Sequence, residues 1–333
     1  MAVRSVRSVR TVRYWTLSGA ALLFAVLAVQ PAWAQSYPSR PVKLFHGFAA
    51  GANVDTIARV MATELTKALG QPVVVEPQPG AGGTIAAATV ARAKPDGYTL
   101  LMGTGSHSVA GALYDKLPYD TEKGFSSVST VTFFAFAVTA SAASRYQHVN
   151  DLVAYARANP GRVSYGSSGA GSTNHLAGEV LAKVSGTQML HVPYKGFAPA
   201  LTALLAGEID FVVGSASSVL GNVKAGKMRV LAMAAPKRWS GMPDVPTSFE
   251  QGLKDYDMSS WAGIMAPADL PRAISDRLHA DTQKVLQVPA IRATFEELGG
   301  EPRGSTPAEM SALIASELKR WVQVVNDAKI PKL

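Results

Sequence analysis

Apolar and polar positions fall into alternating blocks along most of this chain. Residues 41–47 read as a buried strand, followed by the small-residue segment Phe48-Ala49-Ala50-Gly51-Ala52-Asn53-Val54-Asp55. A helix over 56–69 comes next, with Ile57, Val60, Met61, Leu65 and Leu69 recurring at spacings of three and four. Asp55 stands where it would cap this helix and Gly70 where it would end it. Residues 72–76 read as a second strand, 84–93 as a helix opened by Pro79-Gly80-Ala81-Gly82-Gly83, and 98–102 as a third strand entered by the Asp96-Gly97 turn. A polar loop, 103–108, closes this part. Strand, small-residue loop, helix: the repetition predicts the α/β class, with mostly parallel sheets and helices on both faces.

The apolar run 128–138 is long for one strand and reads as a crossing into a second domain. There the same order recurs: a helix over 149–158 ending at Asn159-Pro160-Gly161, strands over 189–192 and 209–214, and a helix over 199–206. Residues 228–235 read as the return crossing, 261–265 as a strand, and 271–286 and 307–328 as closing helices. This gives one domain of 35–134 plus 236–333 and another of 135–235, with hinge crossings near 132–138 and 231–236. Loops at the C-terminal ends of the strands then face an inter-domain cleft, where ligands of such sheets bind.

The most informative stretch is 165–179, Tyr-Gly-Ser-Ser-Gly-Ala-Gly-Ser-Thr-Asn-His-Leu-Ala-Gly-Glu. An apolar-leaning lead passes into glycines and hydroxyl residues, then into a helix with Leu176, Val180, Leu181 and Val184 on one face. The first N–H groups of a helix have no partner within it and suit an anion. Ser167, Ser168, Ser172 and Thr173 add uncharged donors, and Ala170, Gly171 and His175 complete the loop. The segment Phe48–Ala52 with Asp55 offers a similar helix start in the other domain, and Ser106 and His107 a third polar loop. A carboxylate over one helix start gains roughly 0.3–2 kcal/mol from the dipole, and hydrogen bonds to a charged acceptor add about 1.5–3 kcal/mol each.

Charge and composition narrow the classes. Arg4, Arg7, Arg10 and Arg13 precede an uncharged apolar segment over 17–29, and Ala32-Trp33-Ala34 supplies a small–x–small site. Residues 1–34 therefore read as a signal peptide cleaved after Ala34, which exports the protein to the periplasm. Those four arginines carry half of the formal +8, leaving +4 spread among acids on the remainder. That pattern shows neither a nucleic-acid patch nor a membrane-surface helix. The chain has no cysteine, which excludes disulfides and thiol chemistry.

Several segments are similar to Bug-type substrate-binding proteins, the periplasmic components of tripartite tricarboxylate transporters. They include Tyr37-Pro38-Ser39-Arg40-Pro41-Val42-Lys43-Leu44, Leu69-Gly70-Gln71-Pro72-Val73-Val74-Val75-Glu76, Pro79-Gly80-Ala81-Gly82-Gly83 and Pro95-Asp96-Gly97-Tyr98. Tyr114-Asp115-Lys116-Leu117-Pro118, His191-Val192-Pro193-Tyr194-Lys195-Gly196 and Gly304-Ser305-Thr306-Pro307 extend the resemblance over essentially all of the chain after the signal. It implies a two-domain Venus-flytrap fold closing on a small carboxylate, main-chain donors as principal ligands, and delivery by a monomer to membrane permease subunits. Two departures stand out. Ala52 replaces a glycine in the first cleft loop, and Gly214 stands where many members have an aspartate that can pair with an amino acid's ammonium. The second departure points to an amine-free ligand: a di- or tricarboxylate, a hydroxy acid or an aromatic acid.

Other chemistry has less support. Gly166-Ser167-Ser168-Gly169-Ala170 lacks the second glycine of a nucleophile elbow, although His175, His191 and Asp210 offer a base and an orienting acid for a cleft hydrolase. Residues 221–227 have phosphate-loop spacing, but Met228 replaces the hydroxyl residue that would meet magnesium. The six histidines show no metal spacing, so neither a metal nor a cofactor is expected. A sensor that docks on a signalling partner is the alternative to a transport receptor.

Overall fold

The computed structural model describes residues 1–2, 37–170, 172–327 and 330–333. The expected signal segment beyond residue 2, its cleavage site and Gly171 lie outside the described residues. No helix among the described residues is long and apolar enough to cross a membrane.

The chain begins its fold with β1 (Val42–His46), α1 (Asn53–Leu69), β2 (Val73–Pro77), a 3-10 turn at Ala81–Gly83, α2 (Thr84–Ala91), β3 (Thr99–Thr104), α3 (Ser106–Leu113) and β4 (Phe125–Phe134). A single residue, Ala135, separates β4 from β5 (Phe136–Ser141). Next come α4 (Val149–Ala158), β6 (Ser164–Ser167), α5 (Thr173–Ser185), β7 (Leu190–Pro193), α6 (Phe197–Ala206), β8 (Phe211–Ser215), α7 (Ala216–Lys224) and β9 (Met228–Ala234). The chain ends with β10 (Ser260–Pro267), α8 (Arg272–Leu286), α9 (Pro289–Glu297), β11 (Gly300–Pro302) and α10 (Pro307–Asp327).

The strands form two sheets, ordered β11-β4-β10-β3-β1-β2 and β7-β6-β8-β5-β9. Each is mixed. Parallel pairing is confined to the strand–helix–strand halves, β2-β1-β3 and β7-β6-β8. The strands at and beside the crossings, β4, β10, β5 and β9, pair antiparallel. The expected parallel character therefore holds for half of each sheet, because every strand that carries the chain between sheets reverses direction. β10, central in its sheet, is buried along its whole length, as a strand covered on both faces must be.

The first sheet's core joins Phe45, Leu101, Phe125, Trp261 and Met265 to Met310 and Ile314 of α10. The Trp261 indole N–H donates to Glu317 at 2.8 Å, and burial pushes that carboxyl up to about 7. The second core gathers Ala137, Val212, Met233, Ala200 and Leu204. After β9 the chain stays against the second sheet: Met242 packs into its core, and the Tyr256 hydroxyl donates to the Ala177 carbonyl of α5. The chain enters the first sheet again at β10.

Helix α1 begins three residues earlier than its periodicity predicts, with Ala52 at the cap position and Asp55 inside the first turn. Ile57, Met61, Leu65 and Leu69 are buried as expected, whereas Val60 is only half-buried. Leu65 has no exposed surface, so Leu65→Ala should cost about 2–5 kcal/mol in urea unfolding. Val60→Ala should cost about 1 kcal/mol or less, and equal losses would contradict this packing.

Candidate functional site

One cavity of about 500 Å³ lies between the sheets. Its walls include Phe48, Ala49, Ala52, Asn53 and Val54 from the β1–α1 segment, Gly80–Gly82 from the 3-10 turn, and Thr104 and Ser106 from the start of α3. The second sheet contributes Ser168, Ser172, Thr173 and Asn174 at α5, Lys195, Gly196 and Phe197 at α6, and Ser215 and Ser218 at α7. Phe134 and Phe136, on either side of Ala135, line it at the crossing, their rings stacked at 6.2 Å.

Five helix starts thus open on the same space. Four of them, at Ala52, Gly105, Gly196 and Ser215, have no side-chain cap. At the fifth, Ser172 accepts from the His175 N–H at 3.2 Å. The Ser215 hydroxyl pairs with Ser218 instead of capping α7. Among the described residues the lining carries no aspartate or glutamate, and Lys195 is its one charged side chain. Ser106 Oγ and Thr173 Oγ1 are 3.0 Å apart and join the starts of α3 and α5 across the cavity.

The first loop is held from beneath. His46 is fully buried, accepts the Phe48 N–H on Nδ1 (3.3 Å) and donates from Nε2 to Asp55 (2.9 Å). The other Asp55 oxygen accepts from the Gly51 N–H and from Arg59, each at 2.9 Å. Desolvation pushes the Asp55 carboxyl up, but the bonds from Arg59, Gly51 and His46 outweigh it and hold it at about 2. Burial likewise keeps His46 below its ordinary value, which favours the neutral ring. Asp55 and the N–H groups of Phe48 and Gly51 are therefore committed inward, and Ala50, Gly51 and Asp55 do not line the cavity.

The second loop has its own support. Ser167 is fully buried with its Oγ 2.6 Å from His191 Nε2, and the His191 ring stacks on that of His175 at 4.0 Å. Tyr165 donates to Glu179 at 2.6 Å. Desolvation, reinforced by His175, lowers His191 to about 4. The Ser168 hydroxyl donates to Asn174 Oδ1 (2.5 Å), whose amide donates to the Val213 carbonyl (2.7 Å). Ser168 thus reaches no histidine, Ser167 does not face the cavity, and Asp210 serves Tyr146 and Ser164; the elements of a hydrolase are not assembled.

Of the residues singled out in the sequence, Phe48, Ala49, Ala52, Ser106, Ser168, Ser172 and Thr173 line the cavity, whereas Ser167, Ala170, His175 and Gly214 do not. His107 lies in α3 rather than in a loop. It is buried against Tyr119 and Phe125, donates to the Thr121 carbonyl at 2.8 Å, and is lowered by burial to about 4. His279 is half-buried and donates to the Val128 carbonyl. The Lys195–Phe197 arm was missed as part of the site, although a strand followed by a glycine and a helix start announces it.

Asp55→Ala should cost about 2–4 kcal/mol, because His46 and the Gly51 N–H lose their acceptor in a buried setting. With Asp55 depressed from 3.8 to about 2, its contribution is complete above pH 4 and lost as the pH falls toward 2; denaturant titrations of wild type and Asp55→Asn check this. His191, depressed from 6.5 to about 4, is neutral in the fold and charged in the unfolded chain between those values. Its contribution is complete above pH 6.5 and declines as the pH falls to 4. A smaller stability difference between pH 7 and pH 5 in His191→Gln than in wild type is the expected result.

A family model described as "Tripartite tricarboxylate transporter family receptor" matches residues 57–330. The solved structure of the periplasmic binding protein BugD is 31% identical with a TM-score of 0.81, covering 89% of this chain and 100% of that one. Rpa4515 from R. palustris, solved with adipate, is 32% identical with a TM-score of 0.83, covering 89% and 100%. MatC from Rhodopseudomonas palustris, solved with bound malate, is 32% identical with a TM-score of 0.79, covering 87% and 100%. These likenesses extend over both sheets, and the chain therefore belongs to the tripartite tricarboxylate transporter receptor family, as a Bug-type periplasmic solute-binding protein and not an enzyme.

Proposed function

We propose that this protein captures a small amine-free organic acid, whether a di- or tricarboxylate, a hydroxy acid or an aromatic acid, between its two sheets. The carrying observation is that five helix starts converge on one cavity whose lining, among the described residues, has no acidic side chain. Aligned N–H groups and the positive end of each helix favour a carboxylate there. The bound adipate of Rpa4515 and malate of MatC agree with an acid as the guest.

In this reading Phe48, Ala49, Ala52, Ser106, Ser168, Ser172 and Thr173 meet the ligand, together with Gly171. Asp55, Ser167 and His175 hold the loops that present them, while Ala50, Gly51 and Ala170 shape those loops and Gly214 leaves room for the wall. The lobes are 35–134 with 260–333 and 135–259, the boundary expected at 235–236 shifting to 259 because Met242 and Tyr256 pack against the second sheet. They close about the crossing near 132–138 and a return crossing just before β10, not the one expected near 231–236. The protein is exported with cleavage after Ala34, works as a monomer, and hands its acid to the permease subunits of a tripartite transporter. Protein taken directly from the periplasm should release an amine-free organic acid on unfolding, identified by mass spectrometry. Uptake of that acid should fall when the protein is deleted. An amino acid as the released ligand, or unchanged uptake, would falsify the corresponding half of the proposal.

A further inference from the structure

The cavity has a wall that acid capture alone does not account for. Phe48, Phe134, Phe136 and Phe197 all line it, and phenylalanine contributes neither charge nor hydrogen bond. Phe197 is placed with particular constraint. The Tyr194 N–H donates to the Ser167 carbonyl at 3.1 Å and ties the segment after β7 to the α5 loop. Gly196 then takes φ +114°, a conformation that side-chain-bearing residues rarely adopt, and Phe197 follows as the first residue of α6. Its ring rests end-on against bare backbone: a Cβ on Gly214 would lie 2.1 Å from Phe197 Cζ. A side chain at 214 and the ring at 197 thus exclude one another, and the position that could have carried an acid instead seats an aromatic ring.

Lys195 sits two residues away on the same arm, exposed and in no ion pair among the described residues. One cation, several helix starts and four phenyl rings share one space. A ligand ammonium would meet positive helix ends and Lys195 with no carboxylate to pair with, a costly arrangement once water is excluded. A second carboxylate turned toward the phenyl rings would give up hydration without gaining donors. A flat ring carrying its carboxylate at one edge satisfies both walls, since aromatic pairs gain beyond their buried area.

We propose that the Lys195–Gly196–Phe197 arm is the specificity element of this cavity and selects aromatic carboxylates, with Lys195 meeting the carboxylate and Phe197, seated on Gly214, packing against the ring. This rests on the reading of the site as acid-binding. Calorimetric titration of the full chain with benzoate, malate, adipate and glutamate tests it. Benzoate should bind roughly 10-fold or more tightly than the other three. Phe197→Ala should weaken benzoate about 10-fold while changing malate by less than about 3-fold, and Lys195→Met should weaken every acid that binds. Phe197→Leu, which keeps an apolar side chain over Gly214, should lose the preference for benzoate with its melting temperature near that of wild type. Tightest binding of malate or adipate, with benzoate indifferent to Phe197→Ala, overturns the arm's role and leaves acid binding standing. Absence of binding by all four acids overturns both.

Discussion

A helix must leave its first N–H groups without internal partners, and this fold brings five helix starts to one cavity. Where a helix starts away from the cavity, side chains can supply the missing acceptors. Asp151 accepts the N–H groups of Gln147 and His148 ahead of α4, and Thr306 and Glu309 serve each other reciprocally at α10. At the cavity, by contrast, the cap positions of α1, α3 and α6 are alanine or glycine, and Ser215 spends its hydroxyl on Ser218. The cavity walls thus hold four helix starts without side-chain caps and, among the described residues, one charged side chain.

The cavity loops are supported from behind by neutral histidines on both sides, His46 fully buried and His191 half-buried. His46 bridges the Phe48 N–H and Asp55 beneath one loop; His191 reaches Ser167 beneath the other. An imidazole kept neutral by burial offers one donor and one acceptor in fixed directions. It can thus pin two segments at once without placing a net charge under the cavity loops.

Much of this was legible from the sequence. The helix over Val149–Ala158 has the predicted limits, and the crossing read from 128–138 is the β4–Ala135–β5 passage. Both main cavity loops were visible as small-residue segments ahead of amphipathic helices. What stayed hidden depends on tertiary context. Helix α7 begins with Ala216-Ser217-Ser218-Val219, where two serines and a valine have only middling helix propensity, and Ala216 and Val219 pack it into the second core. The 103–108 segment looks like a polar loop, yet its later residues form α3, with His107 and Ser108 both buried. From sequence, Phe134 and Phe136 read more readily as hinge packing than as an aromatic wall. The placement of Ala135 between the two sheets puts them both at the crossing and in the cavity wall.

That double service has a mechanical result. The stacked rings flank the one residue separating the two sheets on this path, so rotation of one sheet against the other there must alter the angle between the aromatic planes. Flexing at Ala135 and the shape of the chamber floor cannot vary independently. A bulkier side chain at 134 or 136 would therefore change the passage between the sheets and the chamber above it together.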